Sequence, residues 1–270
     1  MDALVSLPLV LAVVLLELAV GGAFLIWFID RTDEAPGGFL KLAAFVDAAV
    51  IAFALALNGA LPQGATAVRI GIDIGKVSAF GQLLVVVTVL VIVQLVAVFT
   101  PWKRFRAVTG AAVVIVGVTS LALAASARPS QSPYDVFALL ALPLGALALG
   151  GSDAAMLLGH WYLVTPKLST APLERAALVV VVAVVLQSVL VAISIARGEL
   201  TNITETALFV AVAIRVGVGL LATLGVALGA WWTARMNTQS STGLLYVGLG
   251  MVLAGEISAR VVFFLTGAAI

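Results

Sequence analysis

The sequence contains no cysteine among its 270 residues, and only 10% of its residues are charged. Without cysteine the chain can form no disulfide bond and no thiolate or iron–sulfur site, so we expect no bound metal. Soluble domains contain about 25% charged residues, which excludes an ordinary soluble globular protein. The formal net charge of +1 lacks the basic excess of a nucleic-acid-binding protein, and we expect no such partner.

Hydrophobic residues make up 63% of the chain and are grouped into long runs. Because a bilayer core needs about 20 apolar residues per helix, these runs predict an all-α, polytopic bundle of about eight transmembrane helices. One membrane domain is expected to cover residues 1–270, and a four-plus-four division of its helices would fall near residues 127–133. The first run lacks the basic segment of a cleaved signal peptide and is expected to be a membrane helix. The predicted spans are 3–30, 38–58, 78–100, 105–126, 134–165, 172–196, 204–235 and 242–268.

Basic residues are unequally divided between the two sets of connections. The odd-numbered connections contain Arg31, Lys41, Lys103, Arg104, Arg106, Lys167, Arg175 and Arg235. The even-numbered connections contain only Arg69, Lys76, Arg128 and Arg197. Because cytoplasmic loops are enriched in Lys and Arg, this pattern predicts a multi-pass protein of the cytoplasmic (inner) membrane with both termini outside. An interfacial belt at the cytoplasmic end is predicted from Trp27, Trp102, Trp161, Trp231 and Trp232.

Three stretches differ from a plain hydrophobic run. Residues 59–77 alternate in polarity, which is compatible with a short strand or a surface lid. The fifth span is longer than a straight crossing needs and contains Pro143, Gly145, Gly150 and Gly151, which indicates either a kink or break in the helix or one long tilted helix. The seventh span contains Gly225 and Gly229 at Gly-xxx-Gly spacing, which is typical of closely packed helices.

Seven ionisable side chains lie within the apolar spans. Each costs a few kcal/mol or more at the bilayer centre, so we expect them to face the bundle interior, to pair, or to move charge. The four carboxylates outnumber the two arginines, and the excess must hold protons or bind a cation. These residues are Glu17, Asp47, Asp153, His160, Arg215, Glu256 and Arg260.

Glu256 and Arg260 are four residues apart on the last helix, so they share a face and can form a pair. Arg215 lies at a depth comparable to that of Arg260 in the predicted outer half of the membrane. These three side chains could form a polar pocket in which Glu256 exchanges protons. They could equally form a structural ion pair that locks two helices together.

The seven ionisable residues form a series in depth, with Glu256, Arg260 and Arg215 at its outer end. Asp153 and His160 share a stripe of the fifth helix towards the inner side, while Glu17 and Asp47 lie near mid-depth. Such a series could transfer protons across the membrane, or it could consist of unrelated helix contacts. His160 also suits the interface beside Trp161, and a single histidine cannot supply the usual paired ligands of a b-type haem, so we do not expect haem.

The segment from Leu253 to Phe264, with the sequence LAGEISARVVFF, resembles the final-helix signature of the NrfD/DmsC group of membrane anchors. In that group a Gly-Glu pair is followed by an arginine and an aromatic-rich stretch. The predicted topology, with eight helices and both termini outside, is also similar to that of the DMSO-reductase-type anchor in this group. This chain has Ala259 and Phe264 where glycine and tyrosine are typical.

The resemblance implies a cofactor-free anchor subunit that exchanges electrons between a membrane quinone and an iron–sulfur subunit joined to a catalytic subunit. Menaquinone or ubiquinone would be its exchangeable substrate. Glu256 and Arg260 are the expected catalytic residues, and Arg215 is expected to help them bind the quinone headgroup. Glu17, Asp47, Asp153 and His160 are the candidates for proton transfer. The alternative functions are a proton- or cation-coupled transporter, a structural membrane subunit without a site, and a haem-bearing electron carrier.

Overall fold

A computed structural model describes residues 2–129, 135–165, 168–201 and 203–270, with side chains from residue 4 onward. Within these residues eight segments are long and apolar enough to cross a membrane, and they confirm the predicted all-α, multi-pass membrane bundle. A π-helical segment at Ile214–Ala222 joins α8 to α9, and the three together form one span. The helices are α1 (Asp2–Asp30), α2 (Gly37–Ala56), α3 (Gly64–Arg69), α4 (Ile74–Ala97), α5 (Lys103–Ser126), α6 (Val136–Val164), α7 (Ala171–Ala196), α8 (Thr206–Ala213), α9 (Thr223–Ala234) and α10 (Thr238–Thr266).

Polar side chains mark several ends of the membrane helices. The side chains of Asp73, Asp135 and Asn237 accept hydrogen bonds from backbone N–H groups in the first turns of α4, α6 and α10. These caps satisfy donors that no intrahelical carbonyl can reach. Gly267 ends α10 in the left-handed conformation, with φ of 81°, which glycine adopts without steric cost.

The spans differ strongly in how deeply they are buried. In α1, 78% of the apolar window is buried, and this helix packs against α2, α5, α6 and α10. The span formed by α8, the π-helical segment and α9 is 22% buried and lies at the periphery. Because α1 contacts helices from both halves of the chain, any site beside it draws on residues far apart in sequence.

The described residues form eight spans, an even number, so α1 begins and α10 ends at the same end of the bundle, here called the terminal end. There the side chain of Arg128 donates a hydrogen bond to Gly267 O at 2.9 Å. Arg197 donates to Asp135 at 2.7 Å and holds the pKa of that carboxyl below its ordinary value. At the opposite end Arg106 pairs with Asp30 at 2.9 Å. The four-plus-four division near 127–133 stays a prediction, since residues 130–133 lie outside the described part of the chain, as does Lys167.

The connection at residues 59–77 contains a 3₁₀ turn at Asn58–Ala60 and the helix α3, so the strand alternative is wrong, while the surface-lid alternative stays a prediction. Gly71 adopts a left-handed conformation, and Ile72 N donates to Ala67 O at 3.0 Å. This Schellman-type end turns both Ile70 and Ile72 towards the core, where they are buried. The alternating sequence pattern therefore comes from a helix end and not from a strand.

Helix α6 is continuous from Val136 to Val164 despite Pro143, so a break does not occur, while a kink at this position stays a prediction. Its glycines serve close packing. A Cβ atom on Gly21 would lie 1.7 Å from Ala146 O, and one on Gly150 would lie 2.6 Å from the Cα of Gly21. The backbones of α1 and α6 therefore meet directly, which is what small residues permit in membrane bundles.

In the seventh span the closest packing occurs at Gly219. A Cβ atom there would lie 2.5 Å from the Cα of Gly255 on α10. The predicted Gly-xxx-Gly pair contributes little, since Gly225 has open space around its Cβ position and Gly229 reaches only the side chain of Leu244. The Gly219–Gly255 contact brings the π-helical segment against α10 one residue before Glu256.

Candidate functional site

Five polar side chains from four different spans meet inside the bundle. They come from α1, α7, the π-helical segment and α10, and their exposed fractions lie between 0 and 2%. We call them the charged cluster: Glu17, Gln187, Arg215, Glu256 and Arg260. Its two carboxylates and two guanidinium groups balance in charge, which reduces the cost of holding them inside a membrane.

Glu256 is the centre of the charged cluster. Its Oε1 accepts hydrogen bonds from Arg215 Nη1 at 2.6 Å and from Gln187 Nε2 at 2.7 Å. Its Oε2 accepts one from Arg260 Nη2 at 2.5 Å, so the predicted pair at four-residue spacing is confirmed. One carboxylate therefore ties together α10, α7 and the π-helical segment.

Arg260 extends the charged cluster to α1 and α6. Its Nε lies 2.8 Å from Glu17 Oε1, and its Nη2 donates to Ala141 O at 3.2 Å. The Glu17 contact is an ion pair without hydrogen-bond geometry, since neither of its two atoms has a hydrogen-bond partner within the described residues. Glu17 thus contacts Arg260 closely without a hydrogen bond between these two atoms.

Gly145 of α6 makes room for these side chains. A Cβ atom at this position would lie 2.2 Å from Arg260 Nη2, 2.7 Å from Glu256 Oε2 and 2.8 Å from Glu17 Oε1. Any larger residue would therefore overlap three members of the charged cluster at once. From sequence, Gly145 was only one of the glycines that indicated a kink or break, because it lies far from Glu256 along the chain and their contact could not be predicted.

Several buried polar atoms of the charged cluster have no hydrogen-bond partner among the described residues. Glu17 Oε1 and Arg260 Nε face each other in the ion pair at 2.8 Å. The remaining acceptors are Oε2 of Glu17 and Oε1 of Gln187, and the remaining donors are Nε of Arg215 and Nη1 of Arg260. Unsatisfied groups at this depth are costly, so a cluster of them indicates a place for water or for a polar part of a ligand. The cluster can thus both donate hydrogen bonds to an oxygen and accept a proton.

Asp47 and Asp153 form a second, separate group. Asp47 of α2 packs on the backbone of α1, where a Cβ atom on Gly22 would lie 2.2 Å from its Oδ1. The two carboxyl groups are close enough for their charges to interact, and the Oδ2 atoms of both lack a hydrogen-bond partner among the residues described. Asp47 and Asp153 are therefore the two carboxyl groups in excess of the two arginines of the apolar spans, since those arginines contact Glu17 and Glu256.

His160 lies apart from both groups. Its Nδ1 is 2.8 Å from the hydroxyl oxygen of Tyr246, and both side chains are exposed on the surface of the bundle at the end opposite the termini. The seven residues of the predicted depth series therefore occupy three places, with Glu17 beside Arg260 and not beside Asp47. Where described, the chain has no group of three or more His, Cys, Asp or Glu side chains that could hold a metal ion.

Gln187, which binds Glu256, and Tyr246, which contacts His160, were not among the predicted site residues. The position of Gln187 at mid-depth of a membrane helix indicated a buried polar contact, but its partner could not be named from sequence.

Comparisons with family models, with curated proteins and with solved structures find no match for this chain. The fold and the charged cluster by themselves define the class: a multi-pass helical membrane protein with a buried cluster of acidic and basic side chains.

Proposed function

We propose that this protein is the quinone-reactive membrane subunit of a respiratory oxidoreductase, and that the charged cluster is its quinone site. The single observation that carries the proposal is the convergence of Glu256, Arg260 and Arg215 with unsatisfied donors and acceptors around them. A quinone headgroup needs donors for its carbonyl oxygens and a group that exchanges protons, in a pocket continuous with lipid.

In this proposal the arginines bind the quinone and the carboxyl groups exchange protons with it. The free N–H groups of Arg215 and Arg260 bind the carbonyl oxygens of the quinone, and Glu256 exchanges protons with its hydroxyl groups. Glu17 accepts or supplies the second proton through its unsatisfied oxygens. Oxidation of one quinol releases two protons to these carboxylates and two electrons to an iron–sulfur partner, and reduction runs the same steps in reverse.

Access to the charged cluster requires movement, since Glu256 and Arg260 are fully buried. The peripheral span that carries Arg215 is the natural moving part because it is the least buried of the eight. Its π-helical segment supports this role, since such segments are rare and frequently occur at functional sites. Withdrawal of Arg215 would open the cluster towards lipid.

The partners follow from the same proposal. With no cysteine in the chain, the electrons must pass to clusters in another subunit, so we propose an iron–sulfur subunit and a catalytic subunit as partners. The loop charges support a place in the inner membrane with the terminal end outside.

The proposal is tested by Glu256→Gln in the assembled native complex. We expect quinol-dependent electron transfer to be lost while the complex still assembles, since glutamine keeps the shape of the side chain but cannot exchange a proton. The control is Glu174→Gln, which removes a carboxylate of similar chain length from a surface ion pair with Arg235. Full turnover in Glu256→Gln would leave the charged cluster with only a structural role.

A second candidate function is a proton- or cation-coupled transporter, favoured by Asp47 and Asp153. Two neighbouring buried carboxyl groups without a described basic partner are typical of sites that bind and release protons or cations in transporters. Solute uptake driven by a proton gradient in vesicles that contain the purified chain alone, and lost in Asp47→Asn, would favour the transporter.

A further inference from the structure

An apolar groove lies on the lipid-facing surface between α1, α6 and α7. Its volume is about 280 Å³. At one end the groove reaches Arg175 in the first turns of α7, at the end of the bundle opposite the termini. Its apolar lining is formed by Phe24, Phe28, Leu147, Leu178, Val179 and Val182.

Arg175 gives this groove a charged end. Its Nη2 lies 3.7 Å from Glu34 Oε1, too long for a hydrogen bond, and its Nη1 is buried without a hydrogen-bond partner within the described residues. The side chain as a whole is 40% exposed, so the guanidinium group lies at the rim of the groove. A donor left unsatisfied beside an apolar channel suits a ligand with an anionic head and a hydrocarbon chain.

We propose that this groove binds one anionic phospholipid, with an acyl chain along Leu147 and Val182 and the phosphate on Arg175. The positive charge of Arg175 favours an anionic lipid over a neutral one. An isoprenoid chain or a neutral lipid would fill the apolar part but would leave Nη1 of Arg175 without an acceptor, since the ion pair with Glu34 uses Nη2. Basic residues at the membrane surface select anionic lipids in this way. This inference does not depend on the proposed quinone chemistry.

The test is native mass spectrometry of the full-length protein in detergent, with phosphatidylglycerol and phosphatidylcholine of identical acyl chains supplied together. One arginine near the surface predicts a preference of about fivefold for bound phosphatidylglycerol. Arg175→Gln should abolish this preference. Arg104→Gln is the matched control and should keep it, since Arg104 is exposed at the same end of the bundle but outside the groove.

A second variant tests the apolar part of the groove. Val182 is 45% exposed, so Val182→Trp fills the groove without disturbing the core and should reduce binding of both lipids. The proposal is overturned if Arg175→Gln keeps the preference, if the unmodified protein has none, or if Val182→Trp binds both lipids as before. Displacement of phosphatidylglycerol by a neutral lipid or a quinone at equal concentration would also overturn it.

Discussion

The buried ion pair between Arg215 and Glu256 should be much more strongly coupled than an otherwise similar pair at the surface. The two pairs have nearly equal lengths, since Arg215 lies 2.6 Å from Glu256 and Arg235 lies 2.5 Å from Glu174. They differ in burial: the side chains of the first pair are 2% and 0% exposed, and those of the second are 61% and 28% exposed. The two pairs therefore differ in burial and in the additional partners of Glu256, but not in length.

The expected magnitudes follow from the surroundings of each pair. Two unit charges about 4 Å apart interact by about 4 kcal/mol at an effective dielectric constant of 20. Arg260 and Gln187 still bind Glu256 after Arg215→Gln, so part of this energy is retained. We therefore expect a coupling energy of about 3 kcal/mol for the buried pair, and of about 0.2–1 kcal/mol for the surface pair.

The assay is a double-mutant cycle for each pair. The free energy of unfolding is measured in mixed micelles titrated with a denaturing detergent, for the unmodified protein, both single variants and the double variant. The buried cycle uses Arg215→Gln and Glu256→Gln, and the surface cycle uses Arg235→Gln and Glu174→Gln. Coupling energies that agree within about 0.5 kcal/mol would refute the argument that burial strengthens the pair.

Three further variants test the packing, the terminal end and the π-helical segment. Gly145→Ala should lower the free energy of unfolding by about 1–3 kcal/mol because its Cβ overlaps the charged cluster, while Gly250→Ala, in open space, should change it little. The lowered pKa of Asp135 means that its charge stabilises the fold fully above about pH 4 and less as the pH falls through the folded pKa. Asp135→Asn should therefore melt at a lower temperature than the unmodified protein at pH 7, and the difference should shrink in acid; an equal difference at both pH values would contradict this. Deletion of Gly217 removes a residue from the π-helical segment and should turn Arg215 away from Glu256, so combining it with Arg215→Gln should add no further loss of stability.

The contacts of the last helix were largely predictable from sequence because they are local. Four-residue spacing places Glu256 and Arg260 on one face of any α-helix, and the structure pairs them. The contact between Glu17 and Arg260 was not predictable, since a sequence indicates how deep a side chain lies but not which helix stands beside it. The grouping of Asp47 with Asp153 was hidden for the same reason.

The strand alternative for residues 59–77 was wrong for a different reason. Alternating apolar residues are typical of strands. Here Gly71 instead ends α3 in the left-handed conformation, and this helix end buries both Ile70 and Ile72. The π-helical segment, which packs against α10, likewise has no signature in the hydrophobic pattern.

The amino-acid sequence by itself determined that the chain crosses a membrane about eight times as helices, because in lipid every backbone polar group must be satisfied within its own segment. It also determined which charges lie in the apolar spans. The tertiary structure decided which of those charges meet, because direct backbone contacts such as Gly21 with Gly150 and Gly219 with Gly255 set how closely the helices approach. In a medium as apolar as the side chains themselves, such close packing decides which helices are neighbours, and hydrophobic burial does not.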